Sequence, residues 1–555
     1  MGSAVYDYLI VGGGLSGCVV ASRLRQYDET AKVLVIEAGQ DTRSRTDILE
    51  PQVLNLGGEL DWQYETDPAP GIANRSVVVN QGKGVGGGTA INSGGWTRGA
   101  AVDFDEWAAV VGDERWSYKG QLPWFKKTEH WFESNNPDQH GQNGPIHVAT
   151  ADSTGRKYPL GEHVASAWDE LGVPKLPDLD QNAGSNIGRA YLCEARRVGK
   201  RQLSSSVYPL DGVTVLTDTL VKRVVLDRDA ASGTLKCTGV ELADGTIVSS
   251  KSVISSAGTF RSPQLLLLSG IGPSAHLKEM GIETLVDLPD VGQGLTDHMS
   301  FFQHWRLRDP SPGYTLGSSN PVLQQPQFGL GVPMDWIVCT DVPKGGLAEA
   351  IEKDEGAAPD ASQHPLLSRP RTFIESILLY AKLPFPGVPM DADHLTTGVV
   401  SFLPTSRGSV TLRSVKPEDA PKIQLNYLAT EVDKYVYRSG LRQLARLMLD
   451  TQFGREFVAG ESVPEALSGL GVSPLSPSDS DEKLDQRLAL TGGTTWHPSG
   501  TCSMGKVVDS QLRVRGVEGL WVVDASVLPV PLSAHIQAPL YGLAEQAAAI
   551  IAGRA

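Results

Sequence analysis

His497 and His535 are the residues of this chain best suited to moving a proton. His497 lies in the turn-rich loop Thr494-Thr495-Trp496-His497-Pro498-Ser499-Gly500, beside an aromatic ring. His535 lies in Ser533-Ala534-His535-Ile536-Gln537-Ala538-Pro539, just ahead of the alanine-rich, helix-like stretch Leu540 to Ala552. An imidazole titrates near neutral pH. One neutral ring can take a proton from a hydroxyl while a second hydrogen-bonds the oxygen left behind. Pro539 sits where proline opens a helix, and that helix end would place a partial positive charge next to His535. A lone loop histidine is usually a surface residue; two, in loops marked by glycine or proline, make a candidate pair. His276 and His298 read as structural, and His304, on a strand-like run, as a core or domain-interface residue.

The other end of the chain holds a binding unit. Val5 to Val11 is a short apolar run followed at once by Gly12-Gly13-Gly14-Leu15-Ser16-Gly17, then a helix-like stretch to about Tyr27, then the apolar run Val33 to Ile36 ending in Glu37. Gly12, Gly14 and Gly17 fit G-x-G-x-x-G: a tight turn, close approach of backbone to a pyrophosphate, and close helix–sheet packing. The phosphates would sit at the helix N-terminus near Leu15 and Ser16. Glu37 follows Gly17 by 20 residues, where a carboxylate takes ribose hydroxyls. Strand before, helix after and acid at the right distance predict a dinucleotide site. A glycine-rich turn of some other α/β protein would leave Glu37 without a role.

Composition narrows the class further. At 555 residues the chain can bury more than one core, and 40% hydrophobic with 20% charged residues is ordinary for a globular protein. A net charge of −15 disfavours nucleic acid and anionic membranes as partners. Cys18, Cys193, Cys237, Cys339 and Cys502 are scattered, odd in number and lack C-x-x-C spacing, which suits a reduced setting without zinc or a disulfide framework. A first strand beginning at Val5 leaves no room for a secretory signal, so an intracellular, biosynthetic setting is expected, although a chain already trimmed of its leader would read the same. The longest apolar stretches are too short to span a bilayer.

Between the two ends, a second glycine-rich segment, Gln81 to Asn92, follows a short strand (Val77 to Asn80) and implies close approach of backbone to a flat or phosphorylated ligand. Leu216 to Asp227, Thr238 to Leu242 and Ser249 to Ser256 read as strands that extend the first sheet. Residues 308–370, rich in Pro, Gly, Ser and Gln with little periodicity, read as a lid over a channel, with a surface insertion as the alternative. Strands return at Arg371 to Leu383, Thr396 to Leu403 and Ser409 to Leu412, followed by a long amphipathic helix, Glu431 to Leu449. Leu520 to Val523, ending at Asp524, brings the chain back to the first sheet.

At this point the sequence resembles the glucose–methanol–choline flavoprotein oxidoreductases over nearly its whole length. The matching text is Gly12 to Gly17 with Glu37-Ala38-Gly39; Gly82-Lys83-Gly84-Val85-Gly86-Gly87-Gly88 to Asn92; Arg98-Gly99, Asp103-Phe104-Asp105, Trp107 and Trp116-Ser117-Tyr118; Gly258 to Leu266 and Gly270-Ile271-Gly272-Pro273; Ser406-Arg407-Gly408; and Trp496-His497-Pro498 to Gly505. The resemblance implies an α/β fold (α+β overall): a Rossmann-like FAD-binding domain with a second, substrate domain on an antiparallel sheet. Expected segments are 1–155, 191–297 and 491–555 for the FAD domain, with a substrate-domain excursion at 156–190 and the main substrate domain at 298–490.

By the same resemblance His497 is the active-site base and His535 the second catalytic residue, an asparagine in other members. His535-x-Gln537-Ala538-Pro539-x-Tyr541 is most similar to aryl-alcohol-oxidase-like members. FAD contacts are expected at Gly12, Gly14, Leu15, Ser16, Gly17, Glu37, Ala38, Val85, Gly87, Gly88, Asn92, Gly95, Val221, Asp524, Ala525, Gln537 and Ala538. Two departures stand out. Position 88 is Gly where the family commonly has Ser, and Thr89 to Gly94 lacks a histidine, so non-covalent FAD is expected. The implied reaction is hydride transfer from an alcohol to flavin N5, with oxygen or another acceptor reoxidising the flavin. Trp96, Trp496 and Tyr541 suit an aromatic or allylic alcohol. The competing reading is a non-redox lyase on the same flavin fold.

Overall fold

The computed structural model describes residues 5–50, 56–229, 233–383 and 391–554. Its first sheet has eight strands. Thr214–Leu216, Val33–Ile36, Tyr6–Val11 and Ile247–Ser255 run parallel, and Leu235–Leu242 and Val221–Arg228 continue as antiparallel neighbours. Leu520–Val522 adds in parallel to Ile247–Ser255, and Val517–Glu518 to Leu235–Leu242. The register aligns the ends: Val11 pairs with Ile36 and with Ser255, and Ser255 with Val522. Gly12, Glu37, Ser256 and Asp524 therefore emerge along one edge, the carboxyl ends of parallel strands, where open α/β sheets bind ligands. Helix Leu15–Tyr27 lies against helix Gln537–Ile551, so the first and last helices share one face of this sheet.

The second sheet is antiparallel, in the order Val458–Ser462, Met299–Leu307, His394–Ser401, Ile374–Leu379, Trp336–Thr340, Gly188–Tyr191, with Gly493–Thr494 paired to Met299–Leu307. Side chains alternate across it as the two-residue period of a strand requires. Glu375, Ile377 and Leu379 face a large cavity. Ile374 and Val399 face helix Glu431–Leu449, where a Cβ on Gly440 would lie 2.8 Å from Val399 and 3.3 Å from Ile374. That helix has the bounds its periodicity predicts.

The segment 308–370 is not the irregular lid expected. Trp336–Thr340 is an interior strand of the second sheet, and Lys344–Glu355 is a helix packed on Glu431–Leu449. The strand is a five-residue run between Asp335 and Asp341, apolar but for Thr340, and the helix has Gly345-Gly346 in its first turn, which hides the period carried by buried Leu347, Ala350 and Ile351. Only Leu316, Phe328 and Gly331 to Met334 of this segment line the cavity. All five cysteines are buried and free. Among the described residues, no helix is long and apolar enough to cross a membrane.

Candidate active site

A cavity of about 1420 Å³ runs from the glycine-rich edge of the first sheet to the face of the second. That exceeds the roughly 300–1,000 Å³ of an ordinary small-molecule pocket and leaves room for a dinucleotide and a substrate together. Its nucleotide end is built from backbone. Gly12 holds φ +98°, and a Cβ there would lie 2.4 Å from the Ser256 carbonyl; one on Gly87 (φ +51°) would lie 2.7 Å from Gly14 Cα. Helix Leu15–Tyr27 has no acidic residue in its first turn and no side chain capping it, so its N–H groups and positive end are left for an anion. Glu37 is 6% exposed at the cavity wall, its carboxylate accepting from Gly13 N (2.7 Å) and Gly39 N (2.9 Å). Burial pushes its pKa up, against the pull of those and neighbouring backbone N–H groups. Such a group gains from hydroxyl donors. At the far side Gln537 receives an Asn92 amide hydrogen bond and leaves its own Nε2 unpartnered and buried. These features fit FAD.

Of the expected FAD contacts, Gly12, Gly14, Leu15, Ser16, Glu37, Ala38, Gly87, Gly88, Asn92, Gly95, Val221, Asp524, Ala525 and Gln537 line the cavity. Gly17, Val85 and Ala538 do not. Gly17 acts behind the wall: its Cβ would fall 2.0 Å from the Gly12 carbonyl, so it sets how closely helix meets strand. Val85 is fully buried with its N–H on Gln40 O, and Ala538 is buried in the first turn of its helix. The aromatic assignments need the same correction. Trp96 is sealed in the core, its Nε1 3.3 Å from Glu129 and its ring against Tyr541, which in turn stacks on Tyr208. Trp496 alone of the three lines the cavity, 40% exposed, with Nε1 donating to Asn80 Oδ1 at 2.8 Å.

The two histidines meet although 38 positions separate them: His497 and His535 are perpendicular, 5.0 Å between ring centroids. Buried Asp297 fixes the first loop, taking Thr494 Oγ1 (2.6 Å), the Tyr427 hydroxyl and His497 N (2.9 Å). Burial raises the Asp297 pKa to about 6. The second loop is held through Ser533, whose N–H and hydroxyl both donate to Asp103, and through His535 N donating to Thr97 Oγ1 at 2.6 Å.

Two further residues complete the site, and neither was singled out by sequence reasoning. Glu375 Oε1 lies 2.9 Å from His535 Nε2, and Glu375 is 1% exposed. Burial alone would lower the His535 pKa, but the charge and hydrogen bond of Glu375 outweigh it, and the pKa rises above the usual histidine value. The available signal was the one charged residue in the strand Ile374–Leu379. His298, read as structural, sits with Nδ1 3.1 Å from His497 Nδ1. Its ring meets the Phe402 ring edge to face, 5.0 Å between centroids. One proton serves this contact between the two Nδ1 atoms, and Nε2 of His497 lies outside it. Burial lowers the His298 pKa to about 3. Burial and the charges of His535 and His298 hold His497 well below its ordinary value. The proton affinity of His497 is thus lowered and that of His535 raised.

Family models for GMC oxidoreductase match residues 6–300 and 404–544. The chain belongs to the GMC oxidoreductases. It is 38% identical to the GMC-type oxidoreductase acuG of Aspergillus aculeatus, over 98% of this chain and 99% of that protein. It is 33% identical to an oxygen-dependent choline dehydrogenase of Burkholderia lata, over 99% and 94%. Its fold matches that of a fungal aryl-alcohol oxidase with a TM-score of 0.79, at 25% identity over 99% and 98% of the two chains. This GMC oxidoreductase is accordingly an FAD-dependent enzyme acting on CH–OH donors.

Proposed function

We propose that this enzyme oxidises an aromatic or allylic alcohol to the aldehyde or ketone, with His497 as base and FAD held without a covalent bond. The observation that carries the reading is the perpendicular histidine pair, with Glu375 on His535 and the two pKa values pushed in opposite directions. His497, with its lowered pKa and its Nε2 outside the His298 contact, accepts the hydroxyl proton as the carbinol C–H bond breaks. His535, kept cationic by Glu375, donates a hydrogen bond to the oxygen where negative charge grows. Bound FAD supplies the acceptor for the departing hydride at flavin N5, and oxygen or another acceptor then removes the electrons. Phe302, Phe328, Met334, Ile377 and Leu379 give the substrate end an apolar wall, which supports an aromatic or unsaturated ring over a small polar alcohol. The absence of histidine from Thr89 to Gly94 supports non-covalent FAD.

The test is an anaerobic screen of benzylic, allylic and aliphatic alcohols that follows flavin bleaching. Bleaching fastest with benzylic or allylic alcohols is expected. Bleaching by none, with turnover of a cyanohydrin instead, would move the assignment to a lyase.

A further inference from the structure

Arg196 brings an unmatched positive charge to the substrate end of the cavity. It is 3% exposed, lines the cavity, and sits in a buried trio with Glu194 (1%) and Arg156 (2%). Glu194 Oε2 takes Arg156 Nη2 at 2.5 Å, and Glu194 Oε1 takes Arg196 Nε at 2.9 Å and Val332 N at 2.9 Å. Arg156 spends its other donors on Val332 O and Thr154 Oγ1. Arg196 Nη2 donates to Ser93 O at 2.7 Å, and its Nη1 has no partner among the described residues. One carboxylate thus serves two guanidinium groups. Lys382, which also lines the cavity, is paired with Asp391 at 2.6 Å. Arg196 has none to itself.

The place is close to the chemistry. A Cβ on Gly94 would lie 3.7 Å from the Arg196 guanidinium carbon, and one on the next residue, Gly95, 3.6 Å from the His535 ring. The surrounding backbone is shaped to the cluster: a Cβ on Gly331 would fall 2.1 Å from Arg156 Nη1 and 2.3 Å from Glu194 Oε2. An uncompensated charge in an apolar wall is costly unless something pairs with it. Guanidinium is the side chain best matched to a carboxylate.

We propose that Arg196 binds a carboxylate carried by the alcohol substrate, so that the preferred substrates are hydroxymethyl or allylic alcohols that also bear an acid group. This rests on the alcohol-oxidation reading, but its binding half can be tested without turnover. In the FAD-loaded enzyme at pH 7, perturbation of the flavin spectrum is titrated with benzoate and with its neutral isostere benzamide. In parallel, kcat and KM are measured for 3-(hydroxymethyl)benzoate and benzyl alcohol.

The wild type is expected to bind benzoate at least tenfold tighter than benzamide and to favour the acid substrate by a similar factor in KM. Arg196→Met should bring both ratios to near one, Glu194 remaining paired with Arg156, and Arg196→Lys should restore part of them. Equal affinity for benzoate and benzamide in the wild type overturns the proposal, as does equal weakening of both by Arg196→Met. Should Arg196→Met fail to hold FAD, an Arg196→Lys enzyme with the full wild-type ratios, or with none, overturns it as well. Benzoate selectivity without bleaching by any alcohol would sink the oxidation reading and leave the anion site standing.

Discussion

At the scale of residues, the proposed reaction would separate the removal of a proton from the stabilisation of the oxygen it leaves. Replacing His497 with Ala should slow anaerobic flavin reduction by about 10²–10⁴-fold with FAD still bound, the usual contribution of a general base. Stopped-flow bleaching decides it; a wild-type rate would place the base elsewhere. Glu375 has a different signature. A cationic His535 is needed below its own raised pKa and is lost as pH climbs through it, whereas His497, with a lowered pKa, stays neutral down into acid. The kcat/KM profile should therefore fall on the alkaline side, above the ordinary histidine range. Glu375→Gln should move that limb to lower pH by about 1–3 units, the size of shift an adjacent opposite charge produces. An unmoved limb would show that His535 does not need the carboxylate. His497 and His535 were legible because loops marked by proline and glycine advertise them. Glu375 and His298 were not, since each lies in or beside a strand of the second sheet and meets its partner only through tertiary pairing.

At the scale of elements, strand ends and loop anchors set the geometry. The strand–glycine–helix–strand–acid unit was readable because its function is local: each residue acts through neighbours within one supersecondary motif. Gly17 is the sharpest test. Its Cβ would collide with the Gly12 carbonyl, backbone against backbone, so relief requires the helix to move off the strand that presents the phosphate turn. Gly17→Ala is expected to purify with little or no flavin, judged by visible absorbance relative to protein; full occupancy would mean the helix can shift freely. Two of the three aromatic assignments, Trp96 and Tyr541, fall away from the cavity for a physical reason. Tyr541 lies one turn into helix Gln537–Ile551, on the side that packs toward Tyr208, and nearness to His535 in sequence says nothing about which side of a helix a ring takes. Segment 308–370 failed because a buried strand of five residues and a glycine-headed helix carry little periodic signal.

At the scale of the whole molecule, FAD would be enclosed between two sheets and touched by segments from both ends of the chain. Acid or heat should release it intact, leaving colourless polypeptide; flavin that stays with the precipitate would demonstrate a covalent link. The free cofactor should also raise the melting temperature of apoprotein with a dependence on FAD concentration, since a ligand that binds only the folded state stabilises it by mass action. The two ends are tied directly: Arg23, on the first helix, holds Glu545, on the last, through Nε and Nη2 at 2.6–2.9 Å, and Tyr208 donates to the same carboxylate. That tie spans 522 positions. A ribosome adding about 5–20 residues per second would need roughly 25–100 s to deliver the second half of it after the first has emerged. During that interval the phosphate turn exists without its closing helix, and the edge of Ile247–Ser255 waits unpaired for Leu520–Val522. Flavin loading is then a late event in the life of each nascent chain. Premature termination anywhere before the last helix should yield aggregation-prone apoprotein, not a partly active enzyme.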